Sequence, residues 1–316
     1  MGKASRRKLN RPRGSARALA ELANGCIGMV ESQFPGIFSA LDNVRAYTIG
    51  DIFWPEWCYL PMGAVAAYLD KYGGENEIIY SDQYSNENAE FLTYLPLVTP
   101  LLAWRQTKGI YRIDPELLQS LKETPINKLP VGVLYQMPEW ALLLELEGII
   151  LFTSLEYDVK LNQPELRFLF ITETGFAPFV IHLTQETLEE AIDASFKQAK
   201  QKAIENKNLF KERDLKEFLD ANVNSKAQEF ITPFVSVLLY ICSQKADIVN
   251  PDNPTSRPSR KTKPSDNPNP RVWEVGYRIG TALKQARLNE AAQQGNRGAH
   301  QRPRAHIRRA HWHSFG

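Results

Sequence analysis

Four β-rich runs, separated by short turn segments, occupy the middle of the chain and constrain its fold more than any other feature. They cover residues 131–135, 140–152, 166–172 and 176–183. Turn-forming residues punctuate them at Gly148, at 162–164 and at 174–175. Short connections of this composition join neighbouring antiparallel strands. The pattern therefore predicts an antiparallel β-meander.

Segments with helical spacing of apolar residues lie on both sides of this block. Residues 16–30 and 61–72 precede it, and a capping box of Thr187 and Glu190 begins a helix that follows it. Residues 227–245 are apolar on nearly all sides, which predicts a core helix. Strands grouped in the middle with helices at both sides predict an α+β fold and argue against a doubly wound α/β fold.

Composition divides the chain into four predicted segments. Residues 1–17 form a basic disordered tail and residues 18–246 an α+β core domain. Residues 247–271 contain six prolines and hardly any large apolar side chain, which is typical of an exposed linker or loop. Residues 272–316 are predicted to form a strand, a helix and a basic segment rich in His and Arg, packed on the core.

The formal charge of +2 conceals a strong asymmetry along the chain. Residues 1–17 carry +7 and residues 251–316 carry +9, so residues 18–250 carry −14. Clustered Lys and Arg side chains release counterions from phosphates, so basic ends favour contact with nucleic acid or a ribonucleoprotein. The alternative is that the basic ends aid solubility or fold back on the acidic body.

Several protein classes are excluded or disfavoured by missing patterns. The cysteines Cys26, Cys58 and Cys242 are widely spaced, with no CxxC motif, which favours reduced thiols in a cytosolic protein. We expect a soluble cytoplasmic protein without a membrane segment, because no apolar run approaches the roughly 20 residues that cross a bilayer. Common nucleotide-binding, phosphate-binding and hydrolase motifs are absent, and we expect no cofactor.

The last 17 residues hold four of the five histidines, interleaved with arginines and a tryptophan. Guanidinium groups bind phosphates and indole rings stack on bases, so this density predicts contact with RNA or the ribosome. The candidate contact residues are His306, Arg308, Arg309, His311, Trp312 and His313.

Three other interpretations of the histidines stay open. A metal site from His306, His311 and His313 lacks a cysteine or nearby acid, so we predict no metal. A metal-independent ribonuclease would use the same histidines as acid and base. The segment could also form an edge strand whose Ile307 and Trp312 pack inward. We predict no catalytic residues.

Three stretches together resemble a known family. They are the sequence WRQTKGIY at 104–111 with MPEW at 137–140, the sequence RAHIRRAHWH at 304–313, and Trp273 with GYRIG at 276–280. They are similar to the family of the second protein in the type V-A anti-CRISPR series, found on mobile elements of bacteria. The resemblance covers roughly residues 90–316.

The resemblance implies a non-enzymatic interaction protein that blocks type V-A CRISPR immunity. Family members are understood to recognise the N-terminal peptide of the effector nuclease as it leaves the ribosome, and to trigger loss of the transcript being translated. An RNA- or ribosome-binding accessory protein of a mobile element is the alternative function.

Aromatic residues in the matching stretches are the candidates for peptide binding. Trp and Tyr combine a large apolar area with a polar group and few rotors to freeze. The candidates are Trp104, Arg105, Tyr111, Trp140, Trp273 and Tyr277. The aromatic members are equally compatible with core positions.

Overall fold

The computed structural model describes residues 14–46, 53–72, 86–126, 128–173, 175–205, 221–260 and 270–295. A seven-stranded sheet runs through the molecule in the order β5-β4-β3-β2-β1-β7-β6. Its strands are β1 (Gly109–Ile113), β2 (Ala141–Leu146), β3 (Ile149–Asp158), β4 (Gln163–Thr172), β5 (Gly175–His182), β6 (Ile248–Val249) and β7 (Arg271–Val275).

The predicted meander corresponds to half of this sheet. Strands β2 to β5 pair antiparallel with their sequence neighbours, and the run 140–152 is two strands joined at Glu147 and Gly148, which both adopt positive φ. The prediction of a purely antiparallel sheet is wrong, because β1 pairs parallel with both β2 and β7. The chain between β1 and β2 contains a helix and a 3₁₀ turn, which is long enough for a parallel crossover.

The first of the four β-rich runs is not a strand. Val131–Gln136 forms a 3₁₀ helix that follows Pro130. Pro130 forms an isolated bridge with Thr187, and Val131 N–H donates to the Glu186 carbonyl. These bonds join the start of the 3₁₀ helix to residues 186 and 187, and Val131 and Val133 pack as half-buried side chains against the core rather than as strand residues.

Helices cover both faces of the sheet in the described residues. They are α1 (Gly14–Gln33), α2 (Ile37–Ala46), α3 (Met62–Tyr72), α4 (Asn86–Thr107), α5 (Pro115–Lys122), α6 (Leu188–Glu205), α7 (Ala221–Cys242) and α8 (Tyr277–Gly295). Alternation along β2 separates the two cores: Leu142 and Leu144 face α5, α6 and α7, whereas Ala141 and Leu143 face α1 to α4. The result is an α+β fold built in three layers.

The predicted helix features are present. The Thr187 and Glu190 side chains form the expected capping box, with Oγ1 and Oε2 2.9 Å apart, and α7 is largely buried in its second half. The apolar segment with Pro96 and Pro100 is part of one continuous helix, α4.

The C-terminal part of the described chain belongs to the sheet. Strand β7 pairs with β1 over its full length, and Gly276, at φ 79°, turns the chain directly into α8. Within the residues that the structure describes, no helix is long and apolar enough to span a bilayer.

Candidate functional site

The stretches that carry the family resemblance converge at β1. The Trp104 indole donates from Nε1 to the Gly109 carbonyl over 2.8 Å, which closes the end of α4 onto the strand. Tyr111 lies opposite Trp273 in the parallel pair of β1 and β7, with ring centroids 6.4 Å apart. All three aromatic side chains are at most 1% exposed, so they form a buried junction between α4, β1 and β7.

A buried carboxyl group lies at the centre of this junction. Glu139 is 0% exposed, and the Thr107 hydroxyl donates to its Oε2 over 3.1 Å. Burial raises the pKa of Glu139 to about 7, although Thr107, Arg271, Tyr111 and Trp273 oppose that shift. A side chain at Gly109 would overlap the Glu139 carboxyl group, so the close approach of β1 requires glycine here.

Arg105 and Trp140 belong to a second cluster, at the outer side of the junction. Asp42 accepts hydrogen bonds from the Tyr59 hydroxyl at 2.8 Å and from Arg105 at 3.3 Å. The Arg45 guanidinium lies over the Tyr59 ring, 4.3 Å from its centroid, and over the Trp140 ring, 5.2 Å from its centroid. Arg105 and Trp140 therefore connect α2 and α4 to the part of the chain that leads into β2.

The remaining predicted site residues are placed as follows. Tyr277 is half-buried at the first position of α8. His306, Arg308, Arg309, His311, Trp312 and His313 lie outside the described residues. A peptide-binding role for the six candidates near the junction stays a prediction, and three of them, Trp104, Tyr111 and Trp273, present almost no surface to a partner.

A separate concave surface, the acidic cleft, lies on the other face of the sheet from α1 to α4. It encloses about 820 Å³ between the end of α5, the β2–β3 turn, the start of α6 and the middle of α7. Its lining residues are Leu118, Lys122, Glu123, Thr124, Pro125, Ile126, Leu146, Glu147, Ile149, Glu189, Ile192, Gln228, Glu229, Phe230, Thr232, Pro233 and Phe234. This volume is in the range of sites that enclose small ligands or short peptide segments.

The floor of the acidic cleft is apolar. Leu118, Leu146 and Ile192 are at most 3% exposed and belong to the core on this side of the sheet. Phe230 forms a wall and is 47% exposed, although its ring lies 5.3 Å from that of Phe234. An aromatic side chain left this exposed at a concave surface is suited to pack against an apolar partner.

The rim of the acidic cleft is negatively charged. Its four glutamates are Glu123, Glu147, Glu189 and Glu229, and its one cation is Lys122. Lys122 Nζ lies 2.6 Å from the Glu147 carboxylate, so that pair joins the end of α5 to the β2–β3 turn. The three other carboxylates give the rim a net charge that favours a basic partner.

A proline interrupts the main-chain hydrogen bonds of α7 at the acidic cleft. Pro233 lies inside α7 and lines the cleft together with Glu229, four residues earlier. Because proline has no amide hydrogen, α7 provides no donor from that position to the Glu229 carbonyl.

The sequence analysis did not identify the acidic cleft. Its residues come from four separate segments, and only the fold brings them together. Two local features could have drawn attention to it: Pro233 within a strongly apolar helix, and Phe230 directly after Glu229. Among the described residues, no group of three or more His, Cys, Asp or Glu side chains is placed to hold a metal ion.

Comparison with known proteins identifies one family and two similar proteins. The model of the AcrVA2-like family, described as the anti-CRISPR type V subtype A2 family, matches residues 111–316. Protein FinQ of Escherichia coli is 25% identical over 280 residues, which cover 78% of this chain and 79% of FinQ. The crystal structure of AcrVA2 has a similar fold, with a TM-score of 0.57 and 17% identity over 85% of this chain and 88% of that one.

Proposed function

The chain belongs to the anti-CRISPR type V subtype A2 family, and from this premise we propose that it lowers type V-A CRISPR immunity by binding the N-terminal peptide of the effector nuclease in the acidic cleft. Binding takes place as the peptide leaves the ribosome, and it leads to loss of the transcript being translated. The observation that carries the proposal is the acidic cleft, which lies entirely within the residues that match the family.

The chemistry of the acidic cleft supports a peptide ligand with both apolar and basic side chains. Phe230 and the floor residues offer apolar contacts to an anchor side chain. Glu123, Glu189 and Glu229 offer carboxylates to Lys or Arg, or to a free amino terminus.

The basic ends of the chain support action at the ribosome. Residues 1–17 and 251–316 carry +7 and +9, which favours binding to ribosomal RNA through phosphate contacts. The same charges support the second candidate, an RNA- or ribosome-binding accessory protein of a mobile element that has no peptide specificity.

The test is binding of fluorescent N-terminal peptides of type V-A effector nucleases, measured by polarisation at near-physiological salt. We expect saturable binding that Phe230→Ala weakens about 10-fold, because the variant removes the exposed aromatic wall. Glu229→Lys should weaken it further for basic peptides. In cells, the same variants should restore the level of effector transcript.

Matched controls lie outside the acidic cleft. Phe176 is also exposed, at 37%, but it lies on edge strand β5, so Phe176→Ala should leave binding unchanged. Glu205→Lys reverses a charge at the far end of α6, so this variant should also leave binding unchanged. Binding that is insensitive to Phe230→Ala and Glu229→Lys would exclude the acidic cleft, and failure of every peptide to bind would favour the accessory-protein function.

A further inference from the structure

We infer that the chain's own C-terminal segment, residues 296–316, occupies the acidic cleft and competes there with the target peptide. The competition rests on the proposed function, whereas occupancy of the cleft by the segment does not depend on it. The inference follows from the packing of α8 against α5, the charge of the rim and the composition of the segment.

Helix α8 packs along α5, whose end forms one side of the acidic cleft. A side chain at Gly280 would overlap the Asp114 carboxylate at the start of α5, whereas Arg287 pairs with Glu116 and donates to the Ser120 hydroxyl over 3.2 Å. Helix α8 therefore lies beside α5 between Asp114 and Ser120.

The described chain ends within reach of the acidic cleft. Arg287 lies beside Ser120, and α8 continues from Arg287 to Gly295, a length of about 12 Å at the usual rise per residue. Helix α5 ends at Lys122, and Lys122, Glu123 and Thr124 form one side of the acidic cleft. A segment that starts after Gly295 can therefore reach the rim.

The composition of residues 296–316 complements the acidic cleft. The segment has five arginines, four histidines and no acidic residue, facing a rim with a net negative charge. It also carries Ile307, Trp312 and Phe315, which provide apolar side chains for the floor. Residues 1–13 are a poorer match, because they have few apolar side chains and the helix that follows them, α1, lies on the opposite face of the sheet.

Tethering makes even a weak contact effective. A segment of 21 residues spans up to roughly 70 Å when extended, so every part of the cleft is within reach. A short tether holds its end at an effective concentration in the millimolar range. A free target peptide must displace the segment. The apparent affinity of the peptide is its intrinsic affinity multiplied by the fraction of clefts that the segment leaves empty.

The first test is photo-crosslinking in the full-length chain. Trp312 is replaced by p-benzoylphenylalanine, the protein is irradiated, and crosslinked positions are mapped by mass spectrometry. We expect intramolecular crosslinks to Phe230, Pro233 and neighbouring residues of the cleft. Glu189→Lys/Glu229→Lys should reduce them several-fold, whereas Glu205→Lys should not. Crosslinks that fall elsewhere in the chain, or only between molecules, overturn the inference.

The second test is competition with a target peptide. Arg308→Glu/Arg309→Glu should bind effector N-terminal peptides about 3- to 10-fold more tightly than the wild-type protein, because the segment no longer competes for the rim. Equal affinity would overturn the competition. If no peptide binds, the proposed function fails while the crosslinks still report occupancy. If peptides bind but the crosslinks lie elsewhere, only this inference fails.

Discussion

At the scale of single residues, Glu139 shows how a charged side chain can be part of the core. It follows a proline at the start of β2, and its carboxyl group fills the space that Gly109 leaves beside β1. A carboxylate without solvent is costly unless donors surround it. Thr107, Tyr111 and Trp273 oppose that cost only in part, so the pKa of Glu139 stays raised, at about 7.

The raised pKa predicts a pH-dependent stability. The pKa of Glu139 is about 4.5 in the unfolded chain and about 7 in the folded chain. Between these two pH values the folded state retains a proton that the unfolded state has lost. Stability is therefore greatest below about pH 4.5 and falls as the pH rises to 7, by roughly 2–3 kcal/mol from this group. Glu139→Gln, which cannot ionise, should remove that part of the slope in urea unfolding measured from pH 5 to pH 8.

Two comparisons make this measurement specific. Glu156 is also buried, with a pKa raised to about 8, so Glu156→Gln should flatten a second, more alkaline part of the profile. Glu123 is exposed on the rim of the acidic cleft, and Glu123→Gln is the matched substitution at a surface position. A wild-type slope in Glu139→Gln would show that the carboxyl group does not titrate within the junction.

The sequence identified the aromatic residues that meet near β1, but it did not predict that they are buried. Trp104, Tyr111 and Trp273 were selected as aromatic side chains in matching stretches, and the structure buries all three. Aromatic residues serve both cores and binding surfaces, and the local sequence does not separate the two uses. The distinction here depends on the pairing of β1 with β7, which joins segments about 160 residues apart.

At the scale of elements, Asp247 joins α7, β6 and α8. Its amide donates to the Tyr240 hydroxyl over 3.0 Å, and its carbonyl accepts from Gly276 N–H over 2.7 Å. Its carboxylate accepts from the Arg278 amide over 2.7 Å, which caps the start of α8 from outside that helix. At 5% exposure, Asp247 is a structural residue inside a segment whose composition predicts a linker.

We expect Asp247→Ala to lower the free energy of unfolding by about 2 kcal/mol, since it removes the cap and leaves the Arg278 and Ile279 amides without that acceptor. The measurement is the urea midpoint. Arg278→Ala should cost less than about 1 kcal/mol, because the Arg278 side chain is 71% exposed. Asp252→Ala, at an exposed position nearby, should have no measurable effect. Equal losses for Asp247→Ala and Arg278→Ala would assign the stabilisation to the ion pair instead.

Local patterns predicted most elements but not the order of the sheet. Alternation and turn residues located β2 to β5, and the capping box located α6. A short extended piece after Gly109 is predicted by the sequence, but its parallel pairing as β1 is not, because the strand is short and almost fully buried and so lacks alternation. The run at 131–135 has the composition of a strand, yet Pro130 and the bonds to Thr187 and Glu186 place it in a 3₁₀ helix.

At the scale of the whole molecule, the separation of charge is the main determinant of partners. A body with −14 between residues 18 and 250 repels RNA, whereas the ends attract it. The acidic cleft concentrates part of this negative charge at a concave surface. A basic peptide is thus attracted to the acidic cleft, and a polyanion is attracted to the basic ends of the chain.

This separation predicts salt-dependent co-sedimentation with translating ribosomes. Arg308→Glu/Arg309→Glu should weaken the association and lower the slope of log affinity against log salt by about 1 to 2, because two phosphate contacts are lost. Lys197→Glu/Lys226→Glu changes the same number of charges on exposed positions of the body and should have a much smaller effect. An unchanged profile for the arginine variant would count against RNA contact by the C-terminal residues.

The position of β7 has a consequence for how the protein is made. β7 is the last of the described strands to be synthesised, yet it lies between β1 and β6 and places Trp273 against Tyr111. Until residue 275 has left its ribosome, one edge of β1 is open and the pocket around Glu139 is incomplete. Non-local pairing of this kind forms late and slowly. The protein therefore completes its own centre only after more than 270 residues have been made, whereas its proposed target is recognised at the beginning of another chain's synthesis.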